Sequence, residues 1–329
     1  MQLCLMVEGQ EGVSWPQWVD LAHTCERHRI SALFRSDHYM NLDGQHPERG
    51  SLDAWGTLCG LAAVTSKLRL GTMVSPASFR HPSQLAKLVT SADHISDGRI
   101  ELGLGAGWHE REHAAYGFPF AGTRTRMDVL EEQLQVVLGN WTGQARSPGP
   151  PGPTARPPAE SFSFHGEHYR LEDLDAQPKP IQSPHPPLIL GGSAGPRSVT
   201  LAARYADEYN TVFPTVDEVR ERRDRVEQAC ERAGRDPIPF SIMTGVLVGS
   251  DDAELRERAR RLGEKMGTDP QGLVDDPPSG WIVGTVDQAI EQLQALRDAG
   301  VSRVMCQQLV HEDLDAVALL GDGLAPTVA

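Results

Sequence analysis

The sequence lacks paired cysteines, long apolar runs and any excess of positive charge, and each lack removes a class of protein. Its five cysteines, Cys4, Cys25, Cys59, Cys230 and Cys306, are odd in number and scattered, with no CxxC among them. Disulfide frameworks and zinc clusters both need paired spacing, so reduced thiols in a cytoplasmic protein are expected. No stretch approaches the roughly 18 apolar residues of a membrane span. Met1 opens directly into a strand-like segment instead of the basic-then-apolar pattern of a signal peptide. Lys and Arg number 31 against 45 Asp and Glu, a formal charge of −14. Such a surface repels nucleic-acid backbones, so any phosphate site must be local and built from backbone N–H groups. What is left is an acidic enzyme acting on a small molecule, with no nucleic-acid or membrane partner.

The 329 residues alternate short apolar runs with longer helical periods. Strands are expected at Leu3–Val7, Ala32–Arg35, Leu68–Val74, Ile100–Leu104, Leu188–Leu190, Glu208–Val212, Phe240–Val248 and Arg303–Gln307. Between them, Ser14 and Gln17 form a capping box for Pro16–His28. Leu85, Leu88, Val89, Ala92 and Ile95 mark one helical face, as do Met127, Leu130, Leu134, Val137 and Trp141. Thr285 caps a helix carrying Ile290, Leu293 and Leu296, and Asp97-Gly98 and Ala299-Gly300 supply stops. Eight strands interleaved with helices predict an α/β fold closed as a single (β/α)8 TIM barrel over residues 1–329. An open doubly wound sheet would announce a dinucleotide fingerprint after the first strand, and Val7-Glu8-Gly9-Gln10-Glu11-Gly12 does not match one. Residues 143–187 break the rhythm. Their Pro- and Gly-rich stretch, Ser147 to Pro153, excludes a packed helix or central strand. Phe162–Leu171 then alternates like a small hairpin. This insertion is expected to cover the strand ends, with Gly267–Gly280 as a second lid.

In a barrel, chemistry sits where strands end. The second strand runs into Asp37-His38, an imidazole able to give or take a proton beside a carboxylate that orients it or holds a cofactor edge. The plainer reading is a helix cap followed by a surface histidine. Gly191, Gly192, Ser193 and Gly195 resemble a phosphate cradle, with Pro196 suited to the next helix's first turn and Arg197 adding charge. A tight loop serves equally well without a ligand. Gly103-Leu104-Gly105-Ala106-Gly107 fails the nucleotide spacing, because Trp108 stands where a third glycine belongs. Bare backbone there fits a flat ring lying against the strand end, or tight packing alone. His109-Glu110-Arg111-Glu112-His113 matches HExxH, but it begins a helix directly after a Gly-rich strand rather than lying mid-helix. No metal is expected.

Taken together these motifs resemble the luciferase-like monooxygenase superfamily, and within it the deazaflavin (coenzyme F420) branch. The matching stretches are Ser36-Asp37-His38-Tyr39, Leu70 to Pro76 with Phe79-Arg80-His81-Pro82, Asp97 through Glu110 with Glu112-His113, Tyr116 to Pro119, Pro178-Lys179-Pro180, Pro186 to Gly192, Ala202 to Asp207 with Asn210, Trp281 to Thr285 and Asp298 to Met305. They span nearly the whole chain in order. The resemblance implies a bacterial luciferase-like barrel with the cofactor ring at the strand ends and its phosphate near Gly191–Gly195. It places a non-proline cis peptide at Met73–Val74 behind the ring, and ring or ribityl contacts at Ser75, Gly105, Ala106 and Gly107. Asp37 and His38 match positions that touch the ring and manage the transferred proton. The implied reaction is hydride transfer at the deazaflavin C5. FMN-dependent monooxygenation on the same barrel is the alternative, and a non-catalytic flavin-binding barrel the third reading. Trp108 stands where some relatives carry a catalytic glutamate, which argues against a sugar-phosphate dehydrogenase. A homodimer is implied by the resemblance alone.

Overall fold

Eight parallel strands form a closed ring: β1 (Gln2–Val7), β2 (Ala32–Arg35), β3 (Arg69–Thr72), β4 (Ile100–Gly105), β5 (Leu188–Gly191), β6 (Glu208–Val212), β7 (Phe240–Gly249) and β8 (Arg303–Gln307). Each pairs with the next, and β8 returns to β1 with Gln2 opposite Arg303 and Met6 opposite Gln307. The computed structural model describes residues 1–42, 44, 46, 48–143 and 161–328. The Pro-rich stretch Ser147–Pro153 lies outside them. No helix among the described residues is long and apolar enough to cross a membrane.

The strands read as near-continuous apolar runs because both of their faces are covered. Outward residues such as Leu3, Leu5, Leu33, Leu70, Leu102 and Leu190 join the helical shell in one core. Inward residues Cys4, Met6, Ala32, Phe34, Met73, Ile189, Met243 and Met305 fill the lumen. At its N-terminal end the lumen is plugged by ions. Arg303 bonds Glu101 at 2.8 and 3.1 Å and pairs with Glu208 at 2.6 Å, while Arg69 reaches Glu101 at 2.5 Å.

The helical signals hold closely. Trp15–Arg27 carries the Ser14/Gln17 capping box, and Val286–Asp298 carries an equivalent box from Thr285 and Gln288. Asp97, at φ 56°, ends Pro82–Ser96. The third strand stops two residues short of its expected end. After Thr72 the chain passes through a cis Met73–Val74 peptide, and Ser75–Pro76 pairs instead with Leu104 and Gly105. A tenth parallel strand of the sheet, Ile282–Thr285, has no counterpart in the expected pattern. It extends the upper half of β7 at Val246–Gly249.

The expected hairpin forms from Phe162–His165 and Arg170–Leu174. Its described residues seat on the outer side of helix Thr123–Thr142. Glu132 accepts from the backbone N–H groups of Glu167, His168 and Tyr169 at 2.7–3.0 Å, and Phe162 packs on Gly139. The apolar face of the hairpin therefore finds its cover on the barrel wall rather than across the strand ends. Within Gly267–Gly280 a short helix, Pro270–Asp275, buries Leu273 with Leu247, Leu255 and Leu262 beside the upper part of β7.

Candidate active site

Adjacent residues at the end of β2 point to different partners. The buried Asp37 carboxylate accepts from Ser75 Oγ at 2.6 Å and from both terminal nitrogens of Arg80, at 2.5 and 3.1 Å. Ser75 Oγ in turn accepts from Trp55 Nε1 at 3.1 Å. Arg80 also bonds Asp53 at 2.7 Å and the Tyr39 hydroxyl at 2.9 Å. Such a bidentate, charge-assisted pair is among the stronger polar contacts. Burial disfavours the Arg80 cation, yet Asp37 outweighs that and holds the guanidinium above its ordinary value. Burial raises the Tyr39 phenol as well, against the pull of Arg80. Asp37 and Ser75 are thus committed to fixing the loops after β2 and β3 against each other.

His38 is held by a residue from a third unit. Its Nδ1 lies 2.7 Å from Glu112 Oε2, and Glu112 Oε1 accepts from the Tyr39 N–H at 2.6 Å. Glu112 is fully buried. Burial alone would raise its carboxyl; the His38 ring and the Tyr39 and Met40 amides outweigh it and hold the group below the usual range. Among the described residues nothing hydrogen-bonds His38 Nε2. Trp108 and His109 stand edge-on to the ring at 6.0 and 6.2 Å between centroids.

The HExxH stretch folds as the short helix Glu110–Tyr116, with His109 as its cap residue. Both nitrogens of the buried His113 are used, Nδ1 on the His109 carbonyl at 2.7 Å and Nε2 on Ser78 Oγ at 2.6 Å. Among the described residues no cluster of three or more His, Cys, Asp or Glu is arranged to hold a metal. In the sequence Glu112 stands out only within this motif and as half of the Glu112-His113 stretch of the family resemblance, with no role attached. The signal that marks it is its spacing, three residues after His109, but the partner across 74 positions cannot be read from spacing.

The glycines at the strand ends make room for Val74. A Cβ on Gly105 would lie 2.8 Å from a Val74 methyl, and one on Gly191 3.1 Å. Gly103 is tighter still, its Cβ falling 2.1 Å from the Thr72 carbonyl. Met73, Val74, Gly105 and Gly191 therefore meet in one wall at the top of the lumen. Ala106 and Gly107 follow β4, and Gly107, at φ 78°, lies against Ser78 and His113. Exposed apolar residues ring the opening: Trp108 at 63% and Val212 at 47%. Glu8, at the end of β1, also faces inward by the alternation of that strand. It accepts from Gln10 Nε2 at 2.8 Å and Gln307 Nε2 at 2.6 Å.

Beyond β5 the loop Gly191–Gly195 leads into helix Pro196–Tyr205. Two of its N–H groups are taken, Gly192 by the Asn210 carbonyl at 3.0 Å and Ala194 by the Tyr209 hydroxyl at 2.7 Å. Ser193 is exposed, and Gly195 takes the cap position without a side chain to cap the helix. The first-turn N–H groups of this helix thus lack a side-chain cap. Arg197 turns away to Asp128 at 2.5 Å and Glu131 at 3.3 Å. Burial works against its charge, but those two carboxylates hold it above its ordinary value.

Residues 4–303 match the model of the luciferase-like monooxygenase family. The chain is 28% identical to the F420-dependent hydroxymycolic acid dehydrogenase of Mycobacterium tuberculosis over 294 residues, covering 85% of this chain and 75% of the relative. It is also 28% identical to an FMNH2-dependent dimethylsulfone monooxygenase of Pseudomonas putida over 196 residues, 60% of this chain and 49% of that one. Among solved structures, an F420-dependent secondary alcohol dehydrogenase superposes with a TM-score of 0.77 at 19% identity, covering 100% of this chain and 99% of that chain. Relatives thus include both F420- and FMN-dependent oxidoreductases. With the closed parallel barrel and a match over most of its length, the chain belongs to the luciferase-like monooxygenase family.

Proposed function

We propose that the protein is an F420-dependent oxidoreductase that moves a hydride between the deazaflavin C5 and a small organic substrate. The observation that carries this reading is His38, anchored at Nδ1 by a buried carboxylate, with no hydrogen-bond partner at Nε2 among the described residues and with Trp108 and His109 edge-on to its ring. The residues fit the cofactor class. The uncapped N-terminus at Gly195–Pro196, with the exposed Ser193 before it, suits a phosphate, while the Gly192 N–H is held by the Asn210 carbonyl. The Val74 wall and the exposed Trp108 and Val212 suit a flat ring. When bound, F420 would supply two-electron hydride chemistry, and the protein supplies orientation and electrostatics. Held on Glu112, the His38 ring presents Nε2 as the donor or acceptor of the accompanying proton. Asp37, Ser75 and Arg80 keep the flanking loops in register, and Met73, Val74, Gly105, Ala106 and Gly107 form the surface beside which the ring would lie. Arg197 would act on the phosphate at longer range, since its guanidinium is shared with Asp128 and Glu131.

Support for F420 comes from the F420-dependent relative named above, 28% identical over 85% of this chain; the FMN-dependent one is equally identical over 60%, so the cofactor is decided by the assay. The test is anaerobic turnover of reduced F420 against a panel of carbonyl and alkene acceptors, run beside reduced FMN with oxygen and the same panel. Consumption of reduced F420 that depends on an acceptor supports the reading; oxygen-dependent turnover with FMN alone replaces it.

The phosphate site has its own test. Gly195 has φ −67° and open space where a Cβ would stand, so aspartate fits there without strain. Gly195→Asp should leave the melting temperature unchanged or slightly raised, because aspartate caps a helix at least as well as glycine. Cofactor Kd should rise by about tenfold or more, since a carboxylate then occupies the anion's place. Isothermal titration with F420 and a thermal melt read the two effects separately. Unchanged affinity would remove the phosphate from this loop.

A further inference from the structure

We propose that Glu112 is a positioning residue that sets the tautomer of His38, a proposal that rests on the proton-transfer role given to His38 above. The carboxylate has two oxygens and two kinds of donor. Oε1 accepts from the Tyr39 amide at 2.6 Å and the Met40 amide also bonds the carboxylate, both of which can only donate; Oε2 faces His38 Nδ1 at 2.7 Å, which can donate or accept. Because an ionised carboxylate can only accept, the neutral His38 ring must carry its proton on Nδ1. Nε2 is then left with a lone pair. The other groups around the pair do not compete for this role. His109 Nδ1 lies 3.8 Å from the same Oε2 with no hydrogen-bond partner among the described residues, Trp108 meets the His38 ring edge-on, and His113 is committed to Ser78 and the His109 carbonyl. Glu112 and His113 therefore make helix Glu110–Tyr116 a clasp, gripping the loop after β2 with one side chain and the loop after β3 with the other. This gives the HExxH-like stretch a use that needs no metal.

The geometry makes Glu112→Gln a near-isosteric tautomer switch. Glutamine has one acceptor oxygen. The Tyr39 and Met40 amides must keep it, because two buried donors facing each other cost more than moving a proton between two ring nitrogens. The glutamine NH2 then meets His38 Nδ1, which becomes an acceptor, and the ring proton moves to Nε2. In the full-length cofactor-free protein with 15N-labelled histidine, at a pH where the ring is neutral, wild-type His38 should show the Nδ1–H tautomer. Glu112→Gln should show Nε2–H. In turnover assays run in the direction of substrate oxidation by F420, where Nε2 takes the proton, the variant should lose about 10- to 100-fold in kcat, with KM and cofactor Kd essentially unchanged. In a His38→Ala background Glu112→Gln should cost nothing further, whereas a merely structural residue would still lower the rate.

The ring spectra decide the proposal without any cofactor, so failure of the F420 reading leaves it testable. An Nε2–H tautomer in the wild type overturns it and needs no variant to fold. An unchanged tautomer in Glu112→Gln, or an added loss in the His38→Ala background, overturns it as well.

Discussion

Replacing His38 by alanine should lower kcat with reduced F420 by about 10²–10⁴-fold, the range that a positioned general acid or base contributes. Cofactor affinity should hardly move, because the wall at Val74 and the loop at Gly191–Gly195 are built from other units. The side chain is not a packing residue of the main core; it stands between Glu112, Trp108 and His109 at the lumen's upper end. Its removal opens no hole in that core but leaves the buried Glu112 carboxylate with only backbone amides as partners, so a thermal melt is the control that separates lost stability from lost chemistry. Stopped-flow single-turnover rates separate the chemical step from product release and give the number directly. Unchanged single-turnover rates in the variant would take His38 out of the mechanism.

The largest effect on stability should come from the other end of the barrel. Arg303 sits between two buried carboxylates, Glu101 and Glu208, which have only 2% and 9% side-chain exposure. Burial opposes its charge, but the two carboxylates more than compensate and hold the guanidinium above its ordinary value. For Glu101, burial is outweighed by Arg303 and Arg69, so its carboxyl lies below the usual range. For Glu208 burial wins, and its carboxyl is raised. Arg303→Met removes the shared cation, leaving Glu208 with no cation among the described residues and Glu101 with Arg69 alone, with an expected loss of about 3–5 kcal/mol, read from urea midpoints at pH 7.

The pH dependence carries the sign of this account. In the wild type, a depressed Glu101 contributes stability that is present above about pH 4.3, the unfolded value, and lost as pH falls through its lower folded value. Without Arg303, Glu101 keeps only Arg69 against its burial, and Glu208, already raised, loses its cation and is raised further above the unfolded value. Stability then falls as pH rises and returns on acidification. The gap between variant and wild type should therefore narrow from pH 7 to pH 5. A gap that stays constant would mean that the loss is one of packing and not of charge.

Much of the barrel is legible in the sequence because parallel strands buried on both faces leave continuous apolar runs, and because capping boxes at Ser14 and Thr285 mark helix starts locally. What escaped lacks such a local mark. Ile282–Thr285 is a four-residue run that pairs only with the overhanging half of β7. The third strand reads through to Val74 by composition, but the turn at Met73–Val74 breaks it. The hairpin was anticipated, but its seat on helix Thr123–Thr142 depends on Glu132 and Gly139, whose roles appear only in three dimensions.

At the site, sequence adjacency was a poor guide to partnership. Asp37 and His38 read as a pair, yet Asp37 serves Arg80 and Ser75 while the carboxylate on His38 is Glu112. Adjacent side chains at a strand end diverge, and the contacts that matter join loops from different βα units. Glycines at 103, 105 and 191 were visible as bare backbone; that they receive the Val74 side chain was not.

The most direct test of the central claim is a titration of the purified protein with F420 and with FMN separately, followed by fluorescence quenching and anisotropy. Saturable, tight binding of F420 with much weaker binding of FMN is the expected result. Preference for FMN, or binding of neither, would contradict the account.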